Sequence, residues 1–83
     1  MRDIEGLNRT LRTIVEHGDG LITQRRSQYG HDWFAGRARL NNQMVVDLIQ
    51  DGWIIITNKR GVIAGYTKGQ PAPSIRELER KLP

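Results

Sequence analysis

Cysteine is absent from the 83 residues, which excludes disulfides, zinc–thiolate sites and cysteine nucleophiles and fits a reducing, cytoplasmic location. Histidine is scarce: two residues do not make a metal site by themselves, and the acidic residues are scattered singly along the chain. Neither a metal nor a cofactor is expected. No apolar run approaches the ~20 residues that span a bilayer, and the charged start Met1-Arg-Asp-Ile-Glu carries no apolar signal region, so no membrane partner is expected. No serine has an evident base beside it. His31 and Asp32 are sequence neighbours whose side chains diverge in any extended segment, so no catalytic constellation is in view and an enzyme is not expected. Gly18-Asp-Gly20 looks like a fragment of a phosphate-binding loop, but it follows a helical pattern where such loops follow a strand, and it reads as a helix terminator.

What the chain does have is positive charge. Thirteen Lys and Arg stand against nine Asp and Glu, for a net charge of +4 and a pI near 10.1. Such a balance favours an acidic partner such as nucleic acid, though composition alone does not decide it. The length suits one domain with a single core and little stability to spare, which oligomerisation would raise. No internal repeat or low-complexity tract interrupts it.

Ile4, Leu7, Leu11, Ile14 and Val15 recur at the spacing of a buried helical stripe, predicting a helix over 3–17 with Asp3 as its N-cap. Its outer face pairs Glu5 with Arg9 and Arg12 with Glu16 at i, i+4, a modestly ion-paired solvated surface. Leu21 to Tyr29 reads either as a short helix carrying Arg25 and Arg26 or as a strand pairing beside a later hairpin; so few residues do not arbitrate. Trp33 and Phe34, between Gly30 and Gly36, anchor a loop or strand into the core. Gln70-Pro-Ala-Pro73 is a stiff connector. Ser74-Ile-Arg-Glu77 is a capping box that opens a last helix whose stripe is Ile75, Leu78 and Leu82.

The centre of the chain is more telling. In residues 40–52, Met44, Val45, Leu48 and Ile49 share one arc while Gln43, Asp47 and Gln50 lie opposite, predicting an amphipathic helix capped by Asn41 or Asn42 and ended by Gly52. Trp53-Ile-Ile-Ile-Thr57 and Val62-Ile-Ala-Gly-Tyr66 then read as two strands joined by the turn Asn58-Lys-Arg-Gly61, with Gly61 supplying a positive φ. A polar-faced helix, a glycine and a hairpin with a cationic tip, over roughly residues 41–68, resemble the C-terminal half of a winged helix (winged helix-turn-helix) domain. The expected architecture is therefore α+β. It comprises a winged-helix-like domain over 1–69 with a hairpin and a third short strand, a connector over 70–73, and a C-terminal helix over 74–83 packing on the domain or on a dimer partner.

The resemblance implies DNA binding. In that arrangement Asn42, Gln43 and Gln50 on the helix over 41–51 face the major groove, Lys59 and Arg60 of the wing over 58–61 touch backbone or minor groove, and Arg37 and Arg39 position the helix. Arg25 and Arg26, with Arg37 and Arg39, bracket Tyr29 and Trp33 in a pattern that also suits stacking on single-stranded bases. Asp47, in the middle of the exposed arc, is the awkward residue for a phosphate-lined partner. Small basic domains of this kind resemble the transcriptional regulators and accessory factors of phages and mobile elements, with double-stranded DNA as partner. The alternative is a module that binds another protein, such as a phage-type inhibitor of a host nucleic-acid-binding machine. The run Ile54-Ile55-Ile56 points apolar groups to both sides of a sheet, and either the C-terminal helix or a second copy in a homodimer must cover the outer side.

Overall fold

The computed structural model describes residues 3–28 and 30–81. Helix α1 (Ile4–Gly18) starts where Asp3 accepts from the Gly6 amide at 2.9 Å, a carboxylate placed against the positive end of the helix dipole. Leu7, Leu11 and Ile14 are buried, and Ile4 and Val15 pack beside them, as their spacing predicts. The helix stops one residue later than expected. Asp19 takes the left-handed conformation at φ 53° and donates its amide to Val15 O at 3.2 Å, a role open to aspartate because its short polar side chain tolerates that region.

The segment left open between helix and strand is a strand, β1 (Leu21–Ser27); Tyr29 lies outside the described residues. There follow β2 (Gly30–Ala35), β3 (Ala38–Arg39), α2 (Asn42–Gln50), β4 (Ile54–Thr57), β5 (Arg60–Ile63) and α3 (Ile75–Lys81). The strands form one antiparallel sheet in the order β3-β2-β1-β5-β4, so the domain is α+β as expected, with a larger sheet than a hairpin and one extra strand. Three strands stand between α1 and α2, and the hairpin β4–β5 joins them through β1.

α2 begins at Asn41, whose side chain accepts from the Met44 amide at 3.1 Å, and Gly52 follows it at φ 80°. The hairpin corrects one expectation. Gly61 is extended and buried inside β5, and the positive φ belongs to Asn58 at 52°. The turn is therefore Asn58-Lys59, with Arg60 already paired to Thr57, and β5 ends at Ile63 rather than at Tyr66. Position 61 needs glycine for another reason. A Cβ there would lie 2.7 Å from Ile56 Cδ1 and 2.8 Å from Ile22 Cγ1, inside ordinary van der Waals contact.

The core lies between the helices and one sheet face. Ile22, Ala35, Ile54 and Ile63 meet Leu7, Leu11, Ile14, Val45 and Leu48 there. α3 packs on α1 through buried Leu78, and Asn8 Nδ2 donates to Pro73 O at 2.8 Å, which fastens the connector to α1. Ser74 Oγ accepts from the Glu77 amide at 3.2 Å, as the capping box requires; Leu82 lies outside the described residues. Of the two candidates to cover the outer isoleucine, the C-terminal helix does not do so, because it lies on α1 and Ile55 stays 54% exposed.

Candidate nucleic-acid interface

Side chains alternate across a strand, so the register of the sheet determines what its two faces carry. One face holds Ile22, Ala35, Ile54 and Ile63 and is covered by helices. On the other, neighbouring partners run across all five strands as Arg39–Phe34–Thr23–Arg60–Thr57. A second row, Leu21–Val62–Ile55, crosses three strands, and its members are 53%, 42% and 54% exposed. A third pairs Arg25 with Asp32. At ~4.8 Å between strands, the five-strand row is about 19 Å long.

Arg25 lies over Phe34, its guanidinium carbon 4.6 Å from the ring centroid, close enough for a cation–π contact. It also donates to the Gly36 carbonyl. That bond ties the guanidinium down beside the ring, and the side chain remains exposed. Asp32 is 4% exposed, beneath Arg39 and Asn42. Its Oδ1 accepts from Asn42 Nδ2 at 2.9 Å, and Oδ2 is 3.3 Å from Arg39 Nη2. Hydrogen bonding from Ser27, then from Asn42, with the Arg39 charge alongside, holds the Asp32 carboxyl below the ordinary aspartate range, against the opposing effect of burial.

The sign of the resulting pH dependence is fixed. A carboxyl whose pKa is lowered by folding contributes stability that is present above its unfolded value of about 3.9 and is lost as pH falls through the folded value. Asp32→Asn is therefore expected to lose stability against wild type at neutral pH, with the gap narrowing below about pH 4. Urea midpoints of both proteins at pH 7 and pH 3 measure it. A gap that does not change with pH contradicts this role for the carboxylate.

The expected site residues divide. Arg25, Arg39 and Arg60, far apart in the chain, converge on the uncovered face. Arg37 occupies the β2–β3 turn and Lys59 the β4–β5 turn, at the borders of that face. Lys59 does not sit on a free-standing wing: its carbonyl accepts from the Gln24 amide of β1 at 2.8 Å, and Arg60 lies in the strand, not at the tip. Arg26 alternates to the other side of β1, opposite His31. On α2, Asn42 is engaged with Asp32, and Gln43 Nε2 donates to Asp47 Oδ1 at 3.0 Å. Gln50 is exposed, and Val46, 40% exposed, places an apolar group on the same helix. Phe34, Thr23, Leu21 and Val62 were not among the expected site residues; the signal for them is the alternation Leu21, Thr23, Arg25 against Ile22 once β1 is read as a strand.

Among the described residues no three His, Asp or Glu side chains cluster as a metal site, and no helix is long and apolar enough to cross a membrane. No family model, no curated protein and no solved structure matches the chain.

Proposed function

We propose that this chain is a non-enzymatic nucleic-acid-binding protein and that its contact surface is the uncovered face of the sheet. The observation that carries this reading is the five-strand row Arg39–Phe34–Thr23–Arg60–Thr57 with Arg25 beside it. Three guanidinium groups and an aromatic ring stand on one face, where among the described strand residues Asp32 is the one carboxylate, buried beneath them. Arginine meets phosphate oxygens in a bidentate fork, and such contacts supply most of the sequence-independent affinity for nucleic acid. Arg37 and Lys59 extend the cationic border at the two turns. The order of α2, Gly52 and the β4–β5 hairpin is the one the winged-helix resemblance expects, but the base-reading role of α2 is the weaker part of it. Two of its three amide side chains already serve carboxylates, and freeing them for adenine would leave those carboxylates short of a donor.

The test is a titration at several salt concentrations. Arg60→Ala is expected to reduce the slope of log affinity against log salt by about 0.7 to 0.9, one phosphate contact. Arg26→Ala, on the other side of β1, is expected to leave it unchanged. An unaltered slope for Arg60→Ala removes the uncovered face from the reading.

A second reading is favoured by the exposed row Leu21–Val62–Ile55, whose apolar character suits a protein surface, either a host protein or a second copy of this chain. Under it the same titration shows no salt-dependent affinity for any oligonucleotide.

A further inference from the structure

We infer that the nucleic acid taken by the uncovered face is single-stranded DNA, laid across the sheet with its bases on the Arg25–Phe34 pair and the Leu21–Val62–Ile55 row and its phosphates at Arg39 and Arg60. This rests on the nucleic-acid reading above and narrows it. The first argument is size. A face about 19 Å across enters neither the major groove of B-DNA, about 12 Å wide, nor the minor groove, about 6 Å. A duplex therefore meets this face only with its outer surface, which is phosphate, and three half-exposed aliphatic side chains then face charged oxygens that they cannot pair.

A single strand resolves the mismatch, because its bases are free to turn away from the backbone and offer flat apolar faces to the protein. Phe34 is half-buried beneath Arg25, whose guanidinium carbon lies 4.6 Å from the ring centroid, so the pair forms one platform on which a base adds as the next layer. The aliphatic row lies two residues further along the same strands, since Leu21 and Val62 are each two positions from Thr23 and Arg60. Charge and apolar surface thus alternate at a strand-residue repeat of about 7 Å per two residues. The sugar follows from the same row. Leu21, Val62 and Ile55 offer no hydrogen-bond partner to a ribose 2′-hydroxyl, and burying that group unpaired is unfavourable.

The experiment is fluorescence anisotropy on the full chain with three labelled probes of roughly 12 nucleotides, within the ~4–16 range engaged by a small single-strand-binding domain. The probes are oligo(dT), the oligo(dA)·oligo(dT) duplex and oligo(U). Oligo(dT) is expected to bind at least about 10-fold tighter than the duplex. Phe34→Leu is expected to weaken oligo(dT) binding roughly 5- to 100-fold, the effect of one lost stacking contact, without changing the salt slope. Ile55→Ser, at a position 54% exposed and outside the buried core, is expected to weaken it in the same direction, which guards against a Phe34 variant that merely unfolds. Duplex binding as tight as single-strand binding, with Arg60→Ala still lowering the salt slope, overturns this inference and leaves the broader reading standing. Equal or tighter binding of oligo(U) overturns the choice of sugar. Absence of salt-dependent binding to all three probes overturns both.

Discussion

Gly36→Ala is expected to destabilise the domain by about 2–5 kcal/mol, measured as a fall in urea midpoint with little change in slope. Two effects add. Gly36 holds φ +59°, and an L side chain in that left-handed region costs roughly 1–2 kcal/mol. A Cβ at this position would also overlap the backbone oxygen of His17 in the last turn of α1. That oxygen is held by a helix and has no rotamer to retreat into, so relief requires moving β2 and β3 away from α1, an overpacking penalty of about 1–3 kcal/mol. Gly52→Ala is the control: its φ is +80° and nothing lies within 4 Å of the added methyl, so it carries the conformational penalty alone. Equal losses for the two variants would mean that the close approach of the β2–β3 turn to α1 has no energetic weight.

The sheet is harder to read from the sequence than the helices, because its contacts come from distant segments. α1 announces itself through five apolar residues at helical spacing with an aspartate in front, and α2 through Asn41 and the arc Met44, Val45, Leu48, Ile49; both signals are local, and both helices stand where they predict. β2 has no such pattern. Its alternation is scrambled because Asp32, a carboxylate, is buried while His31 beside it is exposed, and the burial depends on Ser27, Arg39 and Asn42 arriving from three other segments. The hairpin is legible, but the turn the sequence suggests is two residues longer than the one that forms, because a glycine after Lys-Arg suggests a left-handed position when asparagine can serve. Gly61 is glycine through contact with Ile22, a residue 39 positions away that no reading of the turn includes.

The candidate surface was visible only as a list of cations. Arg25, Arg39 and Arg60 come onto one face through β2 pairing with β3 and β1 pairing with both β2 and β5, and the last of these pairings joins two segments separated by all of α2 and the intervening strands. Nothing in a local window reports it. Once it forms, the apolar core lies on the α1 side of the sheet and the residues proposed to meet a ligand lie on the other, where Asp32 with its partners is the buried exception and substitution elsewhere removes little core.

That division makes the second large effect informative about function. Leu11→Ala is expected to cost about 2–5 kcal/mol, since Leu11 is fully buried in the core cluster and its truncation leaves a cavity there that the surrounding structure only partly fills. A chain of 83 residues has a total stability on the order of 4–12 kcal/mol, so this one change populates the unfolded state measurably near physiological temperature. Binding then weakens because fewer molecules are folded, not because a contact is lost. The two causes separate on addition of an osmolyte such as trimethylamine oxide, which favours the compact state. Leu11→Ala is expected to regain wild-type affinity and salt slope as it refolds, whereas Arg60→Ala, folded throughout, is expected to keep its reduced slope at every osmolyte concentration. Recovery of Arg60→Ala under the same treatment would place Arg60 among the residues that hold the fold and take the cationic row away from the ligand.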